Sequence, residues 1–376
     1  NSLGLVILYR LDISSGWFLT RVVGYEESIP LALKQLIFSM IAMLGVVTGL
    51  AKGHFKKAIL FIEKNKNIMI WGIASFVLLA LPKLLGGSIW LTQDRSIQPS
   101  EFVFKITFLI FLSKYYESKA TELLLQHYPF KEIAKIVLFI VAGIGCFFLA
   151  PMVLMQHELG TALLIALSFI FLTTYVSDRL SFLFVGLAFI ILAMALGVLV
   201  SDHIERRVLA AWLEWKDYAF KPFGEGKLYP GYQIFQALAA IKLSPWGMGI
   251  GNGILKHATM NRTIVPVATS DFIAIPLGSE LGIIGIAIVC AGYLVILNKS
   301  LPKNRTLNFQ SIFAAGIAIA LSVQGCFNLS EVVALLPITG IPLPHLSYGG
   351  SAVLANYILT GILLTILGNR SEDKPK

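Results

Sequence analysis

The sequence predicts an all-α integral membrane protein with ten transmembrane helices, and three observations predict it. Hydrophobic residues fill 56% of the 376 positions and charged residues 14%, whereas a soluble domain carries about a quarter charged residues because its surface must face water. Mean hydropathy is +0.78. The apolar residues gather in runs close to the roughly 20 residues that a helix needs to cross about 30 Å of hydrocarbon.

Nine such runs lie near Leu31–Leu50, Ile68–Leu85, Phe102–Tyr115, Ile133–Met155, Thr161–Val176, Leu180–Val200, Phe272–Leu297, Phe309–Leu329 and Ser351–Leu367. Leu3–Tyr9 is too short to span, and is read as the outer half of a first helix whose start lies before Asn1. That makes ten. No linker, low-complexity tract or internal repeat interrupts the chain, so residues 1–376 are expected to form a single domain.

Charge sets the orientation. Lys52, Lys56, Lys57, Lys64 and Lys66 follow the second span; Lys114, Lys119, Lys131 and Lys135 flank the gap after the fourth. Lys299, Lys303 and Arg305 follow the eighth, and Arg370, Lys374 and Lys376 lie at the C-terminal end. Positive charge in alternate short loops places those loops, and both termini, in the cytoplasm. The formal charge of +9 is thereby accounted for; no basic stripe with interleaved aromatics points to nucleic acid. Cys146, Cys290 and Cys326 each sit inside an apolar run without metal-ligand spacing, as small buried hydrophobes do.

The longest polar stretch, 201–270, falls between the seventh and eighth spans on the outer side. Trp212, Trp215, Tyr218, Tyr229 and Trp246 read as interfacial aromatics there. A connection of this length in an otherwise tight molecule is usually functional.

Ionisable residues at membrane depth cost several kcal/mol and mark functional sites. Here they are Glu101, Lys105, Glu158, Asp271, Glu280 and Glu331, with His157 and His345. Nearly all fall at the outer ends of predicted spans. A transporter would set polar groups near the midplane, in matching broken helices; this lopsided pattern predicts instead a site open to the outer face. Plainer roles stand beside that one. Asp271 after Thr269 and Ser270 suits a helix N-cap, Glu101 suits the first turn of a helix dipole, and Lys105 can snorkel. Pro337, Pro342 and Pro344 predict irregular backbone in a re-entrant segment, which is tolerated at depth only against protein or a wet cavity.

Ile341–Ala355, IPLPHLSYGGSAVLA, resembles the signature LPLPFVSYGGSSLLA of the shape, elongation, division and sporulation (SEDS) family, the RodA/FtsW/SpoVE polymerases. Further matches follow in the family's order: QPSEF at Gln98–Phe102, LGTAL at Leu159–Leu163, GYQ at Gly231–Gln233, DFI at Asp271–Ile273 and ELG at Glu280–Gly282. Lys34–Leu36 is similar to the family's RQL. There are departures. QPDLGT becomes Gln156-His157-Glu158-Leu159-Gly160-Thr161, and Phe104 stands where the family has lysine, with Lys105 one position later and about 100° round an α-helix. Thr269-Ser270 replaces His-Thr before Asp271, and Ser279 replaces the first Glu of EELG.

The resemblance implies a ten-span peptidoglycan glycosyltransferase that polymerises lipid II, a disaccharide-pentapeptide on undecaprenyl pyrophosphate, at the outer face of the cytoplasmic membrane. It implies a class B penicillin-binding protein as partner, and a role in elongation or division. The family's essential aspartate maps onto Asp271. A partly desolvated carboxylate is suited to remove the proton of the acceptor 4-hydroxyl as it attacks the donor's anomeric carbon. Cations must face the leaving pyrophosphate: Lys105, Arg206, Arg207, or a divalent metal (Mg²⁺ or Mn²⁺), for which Asp271 with Glu158 or Glu101 would supply carboxylates. Gln233, Glu280, His345 and Ser347, carried by the matched motifs, complete the expected substrate site. A lipid II flippase and a non-catalytic scaffold recruiting a penicillin-binding protein are the rival readings.

Overall fold

The structure, a computed structural model, describes residues 31–84, 103–124, 159–200, 202–212, 234–235, 238–239, 241–242, 245–249, 270–302 and 307–372. The described residues form helices, turns and irregular connections, with no strand among them. The helices are α1 (Leu31–Ala51), α2 (His54–Lys64), α3 (Ile68–Leu84), a π-helix (Val103–Phe108) running into α4 (Leu109–Leu124), α5 (Leu159–Ser177), α6 (Leu180–Val200), α7 (Asp202–Trp212), α8 (Ala274–Ser300), α9 (Phe309–Val332) and α10 (Gly350–Glu372). Six of them, α1, α5, α6, α8, α9 and α10, are long and apolar enough to cross a membrane. The spans expected near Leu3–Tyr9 and Ile133–Met155 lie outside the described residues, as does most of the 201–270 stretch. That stretch opens with a helix, α7.

Exposure separates two kinds of apolar helix. α6 carries no charged side chain, and Leu199 is 81% exposed, Ile191 69% and Phe184 68%. A helix apolar on all sides is stable only where it faces protein or lipid, so α6 presents these side chains to hydrocarbon. α9 is its opposite, with 83% of its span buried. Its small residues Ala314, Ala315, Gly316, Ala318 and Ala320 permit the close backbone approach on which helix packing in lipid depends. A Cβ on Gly316 would already lie 3.3 Å from Leu172.

The chain divides into two compact units. One comprises Asn1–Ile41, Met194–Leu294 and Gln324–Val353; the other comprises Ala42–Ala193, Val295–Val323 and Leu354–Lys376. Their boundaries fall inside helices α1, α6, α8, α9 and α10, not in loops.

In the second unit, polar groups fix the start of α9. Asn308 caps it, its Oδ1 accepting the Ser311 amide at 2.9 Å, and Glu117 Oε1 accepts the Phe309 amide at 2.9 Å. An acid at a helix N-terminus also answers the macrodipole. Gln310 donates to Glu63 Oε2 at 3.0 Å, and Lys114 donates to the Glu63 carbonyl at 2.9 Å.

In the first unit, two irregularities shape the backbone. α8 breaks at Gly282 (φ 66°, ψ −162°). There Ile283 donates its amide to Pro245 at 3.1 Å, while the carbonyls of Ser279 and Glu280 accept the amides of Met248 and Gly249 at 2.9 and 3.0 Å. The Pro245–Gly249 segment thus satisfies the groups that the break frees, as a discontinuous membrane helix requires. α9 ends in a paired hydrogen-bond cap: Leu335 donates to Ser330 and Ala334 to Glu331, with Ala334 in the left-handed conformation (φ 59°) usually taken by glycine.

Candidate active site

Asp271 lies in the turn Ser270–Ile273 that leads into α8. Three elements meet its backbone and carboxylate. From α9, Asn328 donates its amide to the Asp271 carbonyl at 2.7 Å and to the Ile341 carbonyl at 2.7 Å. From the segment after α9, Gly340 (φ 75°) passes so close that a Cβ there would sit 3.4 Å from Asp271 Oδ2. From α7, the guanidinium of Arg207 acts electrostatically on the Asp271 carboxylate and donates to the Ile338 carbonyl at 3.2 Å. Asp271 itself is only partly exposed.

Electrostatics follow from that placement. Burial pushes the Asp271 carboxyl above its ordinary value, while a hydrogen bond with Ser270 and the charge of Arg207 pull it back in part. Burial lowers the Arg207 guanidinium, and the negative charges of Glu331 and then Asp271 oppose that shift. A carboxylate partly withdrawn from water and held above its usual range is a competent proton acceptor.

The segment from Ile338 to Gly349 is anchored throughout. Thr339 hydrogen-bonds Glu331, and Gln324 donates to the Pro342 carbonyl at 2.7 Å. The Leu343 amide donates to Ser347 Oγ at 2.8 Å, and the Leu346 amide to the Leu343 carbonyl at 3.2 Å. This closes a turn with Pro344 and His345 at its corners; Pro at the first corner and positive φ at the second, 63° at His345, is the type II pattern. Tyr293 donates to the Pro344 carbonyl at 2.9 Å. Gln35 in the matched KQL donates to the Ser347 carbonyl at 2.9 Å and accepts the Gly349 amide at 3.3 Å. These bonds supply the partners that irregular backbone needs in a membrane.

The structure sorts the expected site residues. Asp271 and Arg207 lie near enough for the charge of each to act on the other. Arg206, one position earlier and about 100° round α7, is exposed. Glu280 is buried beside the break in α8, and Ser347 is buried within its own loop. His345 is partly exposed at its turn. Lys105 belongs to the second unit, 1% exposed, donating to Asn356 Oδ1 at 2.9 Å. It lies in the π-helix, whose i→i+5 turn takes in one residue more than an α-turn. Glu101, Glu158 and Gln233 lie outside the described residues. Asn328 and Gly340 lie against Asp271 and Thr339 hydrogen-bonds Glu331, and no motif in the sequence marks Asn328, Thr339 or Gly340. Among the described residues no three His, Cys, Asp or Glu side chains gather as metal ligands.

Comparison with known proteins places this arrangement. A family model described as "Cell cycle protein", covering FtsW, RodA and SpoVE, matches residues 1–372. "Peptidoglycan glycosyltransferase RodA" of Mycobacterium tuberculosis (strain H37Rv) is 29% identical, over 97% of this chain and 75% of its own length. "Probable peptidoglycan glycosyltransferase FtsW" of Buchnera aphidicola subsp. Acyrthosiphon pisum is 32% identical, over 82% of this chain and 74% of its own. Among solved structures, the Thermus thermophilus rod shape determining protein RodA matches with TM-score 0.54 at 19% identity, covering 99% of this chain and 95% of that one. A chain from a structure described as "Structural coordination of polymerization and crosslinking by a peptidoglycan synthase complex" matches with TM-score 0.57 at 20% identity, covering 98% of each.

Proposed function

This chain belongs to the FtsW/RodA/SpoVE family, and from that membership we propose that it is a peptidoglycan glycosyltransferase polymerising lipid II at the outer face of the bacterial cytoplasmic membrane, in elongation or division. The observation that carries the reading to a mechanism is Asp271, a carboxylate half withdrawn from water in a turn that Asn328 of α9 braces and that Gly340 lies against.

In the proposed reaction Asp271 accepts the proton of the acceptor sugar's 4-hydroxyl as that oxygen bonds to the donor's anomeric carbon. The bond from that carbon to the undecaprenyl pyrophosphate breaks, and the pyrophosphate leaves with the electron pair. One displacement inverts the carbon, so no covalent nucleophile is needed. General-base assistance of this kind contributes about 10²–10⁴-fold. Arg207 stays with the protein, engaged by Ile338 and two carboxylates, while exposed Arg206 is the arginine of the pair free to meet pyrophosphate. Glu280, His345, Ser347, Lys105, Glu101, Glu158 and Gln233 remain proposed contributors to the substrate site. Asp271 and Glu331 are the described carboxylates that a divalent cation could meet. A divalent cation, Mg²⁺ or Mn²⁺, stays a proposed contributor, for which Asp271 with Glu158 or Glu101, both outside the described residues, would supply carboxylates.

A class B penicillin-binding protein is the proposed partner, supported by the likeness to a chain described in a complex that couples polymerisation to crosslinking. Both termini are proposed to be cytoplasmic. The test is purified protein with labelled lipid II, with and without that partner, and glycan products resolved on a gel. Polymer from the parent and none from Asp271→Ala is expected; translocation of a dye-labelled lipid without polymer would instead establish a flippase, and neither activity would leave a scaffold.

A further inference from the structure

α2 (His54–Lys64) is short and two-sided, and the chemistry above does not use it. The turn before it holds Gly53 at φ 66°, with the Lys52 amide donating to Thr48 and the Gly53 amide to Leu50. Beyond that turn Phe55 lies over two glycines: a Cβ on Gly49 of α1 or on Gly361 of α10 would stand 2.6 Å from its ring. Ile59 and Ile62 are buried on the same side of the helix. Glu63 fixes the far end, its carbonyl accepting Lys114 at 2.9 Å and its Oε2 accepting Gln310 at 3.0 Å.

The other side is mixed. Lys56, Leu60, Lys64, Lys57 and Phe61 share an arc of about 140°, and all five are exposed, Phe61 at 66%. Residues 52–66 hold five lysines and one acid, and that acid, Glu63, is already engaged by Gln310. Water suits the lysines but not Phe61, and hydrocarbon suits Phe61 but not the lysines. Leu50 in the last turn of α1, and Met69 and Ile70 in the first turn of α3, are exposed too, so lipid reaches the chain on both sides of α2. A basic helix with aliphatic and aromatic anchors at that level belongs among headgroups.

We propose that the outer face of α2 is a binding surface for anionic phospholipid. Lys56, Lys57 and Lys64 meet the headgroup phosphates, their stems lying along the interface, while Leu60 and Phe61 enter the acyl boundary. Because Phe55 and Glu63 pin α2 to its neighbours, lipid held there binds the folded protein and stabilises it.

The test is the full chain in a neutral detergent, titrated with dioleoyl-phosphatidylglycerol while the unfolding midpoint is followed. The midpoint should climb with this lipid, and not with phosphatidylcholine of the same acyl chains or with inorganic phosphate. Lys56→Gln, Lys57→Gln and Lys64→Gln together should keep the parental midpoint without lipid, since these side chains are exposed. That triple variant should need on the order of 10²-fold more phosphatidylglycerol for the same rise, each lysine contributing about fivefold. The same three positions changed to arginine should titrate as the parent does, and Phe61→Ser should weaken the response with the charge intact. A glutamine triple variant that titrates like the parent would overturn the proposal, as would a parent that does not respond or responds equally to phosphatidylcholine. An equal response to inorganic phosphate would overturn it in favour of a free anion. None of these readouts needs lipid II, so a failed polymerisation assay would leave this inference standing.

Discussion

The side-chain amide of Asn328 donates to the backbone carbonyl of Asp271 at 2.7 Å and, from the same nitrogen, to that of Ile341 at 2.7 Å. One residue of α9 thereby ties the turn that carries the proposed base to the proline-rich segment passing beneath it. Asn328 is fully buried, so water cannot take over either bond.

Replacing Asn328 with leucine, close to it in size, should strand both carbonyls. An unsatisfied buried acceptor costs about 1–3 kcal/mol, and misplacing a reacting group by about 1 Å costs on the order of 10²-fold in rate. Thermal unfolding in detergent should show a lower midpoint, and lipid II polymerisation should fall on the order of 10²-fold. A destabilised variant with parental turnover would show that Asn328 supports the fold without setting the position of Asp271.

Gly282 poses a different constraint. A Cβ there would lie 2.3 Å from the Trp246 carbonyl carbon and 2.6 Å from the Gly247 nitrogen, both backbone atoms, and φ is 66°. Gly282→Ala should therefore push the Pro245–Gly249 segment out of the break in α8, beyond the roughly 1–3 kcal/mol of the backbone strain alone. Limited proteolysis after Trp246 should accelerate. Unchanged cleavage and an unchanged unfolding midpoint would mean that the segment does not depend on this contact.

Ser347 was expected to touch substrate, and the structure shows its hydroxyl accepting the buried Leu343 amide. Ser347→Ala should cost about 1–3 kcal/mol of stability for the stranded amide and raise KM for lipid II, since a hydroxyl that accepts this amide can still donate to substrate. Lost stability at unchanged KM would confine Ser347 to the fold of its own loop.

Sequence and structure agree where composition alone decides. Runs such as Leu180–Val200 are too apolar to be anything but lipid-facing or buried helix, and the structure has α6 over those residues. Pro342 and Pro344 foretold irregular backbone, because proline lacks a donor and blocks a helix, and the turn at Pro344–His345 follows. What sequence did not show is which polar residues meet. Asn328 reads as one amide in an apolar run until the 341 segment folds back onto it, since its two partners lie 57 and 13 residues away. Gly340 gives no sign that its missing side chain makes room for Asp271. An α-helical period would turn Lys105 about 100° from the family position; the π-helix over Val103–Phe108 is a local change of period that no residue there announces.

Asp271 carries the last expectation, one that separates base from cap. Burial raises its carboxyl above the ordinary value of 3.8, against the lowering from Ser270 and Arg207. The folded state thus binds the proton more tightly than the unfolded chain does. Stability is then full below the unfolded value and falls as pH rises through the folded one, because unfolding releases the group into water, where ionisation is easier. At pH 7, above the ordinary carboxylate value, the raised carboxyl weighs against the fold. Asp271→Asn should accordingly raise the unfolding midpoint at pH 7, with the gain shrinking as pH drops below the usual carboxylate range, while polymerisation falls about 10²–10⁴-fold. A simple N-cap predicts the reverse: losing the charge would lower stability by about 1 kcal/mol or less and leave turnover near parental. A variant both less stable at pH 7 and fully active would assign Asp271 to the helix start alone; one more stable and inactive would show a carboxylate kept, at the expense of stability, for its proton.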